Sequence, residues 1–266
     1  MTRLPPLKGL LIDLDGVVYH GDHSLAGAAE FFRFLRAADM RFLLTTNNST
    51  LRPSQYVEKL ARMSIEVSES EVLGSAGATA RYLQQTALPG SRVFVIGEEG
   101  LRSAIAEAGF ELAERDVAYV VVGLDRAFDY RKLTLAIRGI RAGASFIGPN
   151  PDTTLPMPDG LIPGAGTLQA AITAATGVTP LVIGKPEPTM LAMGTQLLGC
   201  APHEVAIVGD RLDTDIAGGQ RAGLITILVL TGVARESDLD DSPVRPDFVF
   251  SDLSALMRRM KASDAR

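Results

Sequence analysis

Short, continuous apolar runs constrain this chain most. They are Gly9–Leu14, Arg41–Thr45, Val93–Ile96, Tyr119–Val122, Ser145–Ile147, Leu181–Ile183, Val205–Val208, Ile225–Leu230 and Phe248–Phe250. Runs of this kind, without polar alternation, are expected of strands covered on both faces in a parallel sheet. Longer stretches with helical spacing lie between them. Ala28, Phe32 and Leu35 fall on one face of the first, and Met190, Met193 and Leu197 on one face of a later one that stops at Gly199. Regular strand–helix alternation implies βαβ units with right-handed crossovers, hence a doubly wound, Rossmann-like α/β fold.

Two turn-rich breaks, Leu88-Pro-Gly-Ser91 and Gly177–Pro180, bracket a stretch about the size of a small domain. The acidic motifs described next all lie outside it. The expected organisation is therefore a core built from residues 1–88 and 181–266, with residues 89–180 inserted as a separate α/β cap.

Four segments end an apolar run in polar residues: Leu11-Ile-Asp-Leu-Asp-Gly-Val17, Leu43-Leu-Thr-Thr-Asn-Asn-Ser49, Val182-Ile-Gly-Lys-Pro-Glu187 and Ala206-Ile-Val-Gly-Asp-Arg-Leu-Asp-Thr-Asp215. Open α/β sheets bind ligands beyond the carboxyl ends of their strands. Four such ends would gather Asp13, Asp15, Thr46, Asn47, Lys185, Asp210 and Asp215. Crowded carboxylates repel one another and call for a cation. Oxygen ligands without histidine or cysteine favour a hard ion, and magnesium is the common choice beside phosphate. Lysine, hydroxyl and amide donors suit the oxygens of a phosphoryl group in transfer. A carboxylate can accept that group, and a second carboxylate one residue away can handle the protons.

These residues resemble the four motifs, in the same order, of the haloacid dehalogenase superfamily. The resemblance covers the core at both ends of the chain. It implies that Asp13 is the nucleophile, Asp15 the acid/base, Thr46 the hydroxyl of the second motif followed by Asn47, and Lys185 the lysine of the third. It further implies that Mg2+ binds the Asp13 carboxylate, the Asp15 main-chain carbonyl and Asp210, with Asp215 supporting the metal waters or Lys185 from behind. Thr46-Asn-Asn, Pro163-Gly-Ala-Gly166, Gly184-Lys-Pro186 and Gly209-Asp-Arg-Leu-Asp-Thr-Asp215 are similar to subfamily IIA, the 4-nitrophenyl phosphatase and phosphoglycolate phosphatase-like enzymes. There a cap of the C2 type sits between the second and third motifs. Caps of this class often dimerise, so the resemblance allows a homodimer through the cap.

Each motif also has a plainer structural reading. Asp13-Leu-Asp-Gly alone would pass for a strand-ending turn, Thr46 and Asn47 for a helix cap, Lys185 for a solvated lysine, and Asp210 and Asp215 for helix-cap acids. Asp213 is read as such an acid rather than a ligand. His20 and His23 flank Asp22 in what reads as a solvated loop, and His203 and Cys200 are assigned to structure. Lys185 is not a Walker lysine, because Pro186 replaces the serine or threonine. Gly164-Ala-Gly-Thr-Leu-Gln169 lacks the last glycine of a dinucleotide fingerprint and reads as a glycine-rich helix entry between cap and core. Asn150-Pro-Asp-Thr-Thr-Leu155 resembles the family's cap loop, with Pro149 where threonine is usual. Asn150 and Asp152 there either face the substrate's leaving group or form an Asx turn. Some members of the family that accept pyridoxal phosphate carry a histidine further along this loop; the matching Thr154-Leu-Pro156 has neither histidine nor an aromatic ring, so the resemblance does not extend to a pyridoxal phosphate preference.

The remaining features set limits. The net charge of −5 argues against nucleic acid or an acidic membrane as partner, though not against a small anionic substrate. The single cysteine, Cys200, excludes an internal disulfide and fits a reducing compartment. With no signal-peptide pattern in Met1–Gly9 and no bilayer-length apolar run, the expectation is a cytoplasmic protein. The expected activity is magnesium-dependent hydrolysis of small phosphorylated metabolites. A phosphotransferase on the same scaffold and a non-catalytic binding protein are the rival readings.

Overall fold

A computed structural model describes residues 4–157 and 160–264. The chain forms two compact units. The first is built from the chain up to Thr46, Pro53–Leu73 and the chain from Lys185 onward; the second from Asn47–Arg52 and Gly74–Gly184.

The first unit's sheet has the strand order Phe248–Phe250, Ile225–Val229, Val205–Gly209, Gly9–Asp13, Arg41–Thr46, Val72–Gly74. Gly9–Asp13 is central and wholly buried. It pairs in parallel with Arg41–Thr45 on one side and with Val205–Val208 on the other. The chain moves outward from Gly9–Asp13 through Arg41–Thr46, then restarts on the opposite side at Val205–Gly209. The order thus reverses between Gly9–Asp13 and Val205–Gly209, and the carboxyl ends of strands at such a switch point form a ligand crevice. Helix Ala28–Ala37 covers the sheet with Ala28, Phe31, Phe32 and Leu35.

Helix Pro188–Leu198 departs from its expected face. Met190 and Met193 are buried, but Leu197 is 47% exposed and Leu198 is buried instead. The contact face centres on Leu191, Gly194 and Leu198. A Cβ on Gly194 would lie 2.9 Å from the Leu11 side chain, so the helix sits closest to the sheet at that point.

The second unit holds a parallel five-stranded sheet in the order Leu181–Val182, Ser145–Gly148, Tyr119–Val122, Arg92–Ile96, Glu111–Leu112. Phe94, Ile96, Val120, Val122, Ile140, Phe146 and Ile172 form its apolar core. Leu181–Val182, read from the sequence as a core strand, is an edge strand of this sheet, paired with Ile147–Gly148. Helix Ser75–Thr86, which precedes residue 89, packs on Glu99–Glu107 of the same unit. An antiparallel ribbon, Thr154–Met157 with Gly160–Pro163, leaves the sheet and leads into helix Ala165–Thr176. No described helix is long and apolar enough to cross a membrane.

Candidate active site

The first unit gathers buried ionisable groups, Asp13, Lys185, Asp210 and Asp215, near the carboxyl ends of its central strands. Asp13 closes its strand, and Asp210 follows Val205–Gly209 directly. After Asp13 the backbone turns sharply, with Gly16 N–H donating to the Tyr19 carbonyl at 2.9 Å. Gly16 has φ +80°, and a Cβ there would lie 2.4 Å from Asp210 Oδ2, so both conformation and space require glycine. A wide helical turn, Leu212–Ile216, follows Asp210 and points Thr214, Asp215 and Ile216 inward.

Lys185 joins these pieces. It is 2% exposed, and its ammonium donates to Asp13 Oδ1 at 2.5 Å and to Asp215 Oδ1 at 2.6 Å. The Thr45 carbonyl accepts a longer bond from it at 3.4 Å. Asp215 Oδ2 accepts from the Arg211 N–H at 3.2 Å. Asp210 Oδ2 accepts from the Val233 N–H at 2.7 Å. Asp213 points outward onto the Arg211 guanidinium at 2.8 Å, which holds its carboxyl below the usual range.

The electrostatics follow from burial. Desolvation raises the Asp13 carboxyl well above its ordinary value, and the charges of Asp215 and Asp210 add to that; Lys185 opposes it. Burial likewise pushes Asp210 up to about 6, with Asp215 reinforcing the effect. Burial alone would lower the Lys185 pKa, but Asp13 and Asp215 overcome it and hold the ammonium charged. Carboxylate oxygens of Asp13, Asp210 and Asp215 all lie within 4.8 Å of one another. Three buried carboxylates against one buried ammonium leave an excess of negative charge. All-oxygen donors with that excess fit a hard divalent cation.

Asp15 and Thr46 lie in the same unit. Asp15 is solvent-exposed, yet the protein packed around its carboxyl desolvates it partly and raises it, opposed by the Lys59 charge and a hydrogen bond from the Tyr19 hydroxyl. Lys59 Nζ stands 3.7 Å from the centre of the Tyr19 ring. The side chain of Thr46, which is buried, hydrogen-bonds Tyr56. Sequence reasoning missed Tyr19 and Tyr56, whose aromatic rings look like ordinary core. Only the position of Tyr19 shortly after Asp15 hinted at a role. His20, read as solvated, is exposed, and its Nε2 bonds the Thr231 carbonyl at 2.7 Å.

Asn47, Asn150 and Asp152 come together in the second unit. Asn150 Nδ2 donates to the Asn47 carbonyl at 2.7 Å, and Asn47 Nδ2 donates to the Asp152 carboxylate at 3.2 Å and 3.4 Å. Asn150 Oδ1 also accepts from the Asp152 N–H at 3.2 Å, an Asx turn. The glycines after Pro163 open helix Ala165–Thr176 inside this unit rather than joining cap to core. They lie against the loop backbone, where a Cβ on Gly164 or Gly166 would meet the Asp152 or Pro151 carbonyl at 2.2 Å.

The chain is similar to known proteins along nearly its whole length. A haloacid dehalogenase-like hydrolase model matches residues 10–111, and a HAD-hydrolase-like model matches residues 182–256. An acid sugar phosphatase of Staphylococcus aureus is 42% identical over 255 residues, covering 96% of this chain and 98% of its own. The p-nitrophenyl phosphatase from Archaeoglobus fulgidus superposes with a TM-score of 0.91 at 34% identity, over 96% of this chain and 99% of that one. NagD from E. coli K-12 gives 0.88 at 32% identity, over 94% and 98%.

Proposed function

The chain belongs to the haloacid dehalogenase-like hydrolases, in the subfamily of the 4-nitrophenyl phosphatases and NagD, and we propose that it hydrolyses small phosphomonoesters through a phospho-aspartate on Asp13 with magnesium as cofactor. The observation that carries this reading is the buried relay Asp13–Lys185–Asp215 with Asp210 beside it, at the sheet's switch point. The names of the relatives, a sugar phosphatase and nitrophenyl phosphatases, support small esters as substrates.

Asp13 Oδ1 is engaged by Lys185, so the other carboxylate oxygen attacks phosphorus. As its bond to phosphorus forms, the ester P–O bond breaks on the opposite side. Asp15 gives its proton to the departing alkoxide; partial desolvation by the surrounding protein raises its pKa, in the direction that this step needs, although the side chain is open to solvent. Asp15 then takes a proton from water, whose oxygen attacks phosphorus. The acyl P–O bond breaks, inorganic phosphate is released and the Asp13 carboxylate is restored. Lys185 opposes the desolvation that raises the Asp13 carboxyl and, with Thr46 and Asn47, holds the phosphoryl oxygens.

The Asp13 and Asp210 carboxylates and the Asp15 main-chain carbonyl would hold magnesium, with Asp215 behind them on Lys185 and the Arg211 N–H. When bound, the ion neutralises the carboxylate cluster and the charge of the phosphoryl group. The test is phosphate release from a panel of sugar, aryl and glycolate phosphates, with magnesium and with chelator. Hydrolysis that needs magnesium and falls by several orders of magnitude in Asp13→Asn agrees with the reading; chelator-resistant hydrolysis contradicts it.

A further inference from the structure

The loop Asn150–Thr153 is fixed from behind. Gln169, buried, donates to the Asn150 carbonyl at 2.9 Å and to the Val122 carbonyl at 2.8 Å. Gly166 N–H donates to the Asp152 carbonyl and Gly164 N–H to the Thr153 carbonyl, each at 2.8 Å. The Thr167 hydroxyl takes the Thr153 carbonyl as well, at 2.6 Å. A backbone held at this many points can act as a rigid brace.

The two polar side chains of the brace both act on Asn47. Asn150, only 4% exposed, donates to the Asn47 carbonyl, and Asp152 accepts from the Asn47 amide. The Ser75 hydroxyl donates to the same carbonyl at 2.6 Å, so both of its lone pairs are taken. A Cβ on Gly184 would come within 2.6 Å of Asn47 Oδ1, so the residue before Lys185 also lies against Asn47. Asn47 is thus gripped through its carbonyl and its side chain, and it is bonded directly to Thr46 in the chain.

We propose that Asn150 and Asp152 are positioning residues for the phosphate-holding segment Thr46–Asn47, and that they do not select the leaving group. The proposal rests on the reading above that this segment holds the phosphoryl oxygens. A side-chain amide aimed by a carboxylate, on a backbone pinned by a second amide, is held in one orientation. Loss of either grip would weaken phosphate binding by the same factor whatever ester carries it.

Inorganic phosphate, which has no leaving group, separates the alternatives. Its affinity would be measured by titration calorimetry on the magnesium-loaded protein, beside kcat/KM over a panel of esters. Thr46→Ala tests the phosphate reading itself. Asp152→Ala and Asn150→Ala are each expected to weaken phosphate by about tenfold, the scale of a hydrogen bond involving a charged group. Both should lower kcat/KM uniformly across the panel. Asp152→Asn keeps an acceptor for the Asn47 amide and should recover most of the loss, which a folding defect in the alanine variant would not mimic. Unchanged phosphate affinity in Asp152→Ala and Asp152→Asn, or an altered ranking of esters, overturns the proposal while a weakened Thr46→Ala keeps the phosphate site. If Thr46→Ala binds phosphate normally, the site is misassigned and the proposal falls with it.

Discussion

Replacing Lys185 with methionine tests whether the buried relay stores the electrostatic work assigned to it. The side chain is 2% exposed, and its ammonium lies 2.5 Å and 2.6 Å from two carboxylates that are themselves buried. Lys185→Met keeps the length of the chain and removes the charge, leaving Asp13, Asp210 and Asp215 to face one another. Removing one partner of a buried ion pair typically destabilises a protein by about 3–5 kcal/mol. For a chain of this size that corresponds to a fall in Tm of roughly 10 °C. Losing the ammonium raises the Asp13 and Asp210 carboxyls further, so the native state binds protons that the unfolded state releases. Stability of the variant therefore rises as pH falls, and its gap to the wild type narrows between about pH 7.5 and 5.5. Adding Asp215→Asn should restore part of the loss by removing one stranded charge. Scanning calorimetry of the three proteins at both pH values reads all of this. A variant as stable as wild type, or a gap independent of pH, would refute the reasoning.

Other sites give simpler expectations. A Cβ on Gly232 would lie 1.9 Å from Asp210 Oδ2, so Gly232→Ala should displace that carboxylate and raise the magnesium concentration needed for half-maximal activity by about tenfold. Asp213→Ala, on a solvent-facing pair with Arg211, should leave that requirement unchanged. Asp15→Asn should lose most activity on alkyl phosphates and least on aryl phosphates, whose leaving groups need little protonation; equal losses in single-turnover phosphorylation would exclude Asp15 as the proton donor. Glu71 accepts two hydrogen bonds from Arg36 and one from the Ser68 N–H, and these hold its carboxyl below the usual range against the opposing effect of burial. Arg36 is half exposed, so Glu71→Gln should reduce stability by only about 0.5–1 kcal/mol at pH 7. That difference should begin to shrink as pH falls through the unfolded glutamate value of about 4.3 and vanish only below the lowered folded value, where Glu71 is protonated in both states.

Much of this architecture is legible in the sequence because parallel strands covered on both faces leave uninterrupted apolar runs. Each run named from the sequence corresponds to a strand, with no end shifted by more than one residue. The pattern carries no information about which sheet a run joins, and for that reason Leu181–Val182 was read into the wrong one. Short or exposed pairings left no apolar signal at all. The ribbon Thr154–Met157 with Gly160–Pro163 contains prolines and exposed side chains, and Val72–Gly74 is too brief to stand out. Leu197 was misplaced because heptad spacing suits several helix faces, and the close approach at Gly194 decides which one is buried. The acidic cluster was legible because strand-ending carboxylates and a lysine have few other reasons to recur in that order. Tyr19, Tyr56 and the Asn150–Asn47–Asp152 contacts were not, because hydrogen bonds between distant segments depend on the folded geometry.

The central claim is the covalent use of Asp13. Borohydride reduces an acyl phosphate to an alcohol, so quenching the enzyme with borohydride during turnover of a phosphate ester would convert a phosphorylated Asp13 to homoserine. Peptide mass spectrometry then reports the position. The account predicts homoserine at residue 13 only, dependent on substrate and magnesium, and absent in Asp13→Asn. An unmodified Asp13 in enzyme quenched during rapid turnover, or conversion at another carboxylate, would contradict it.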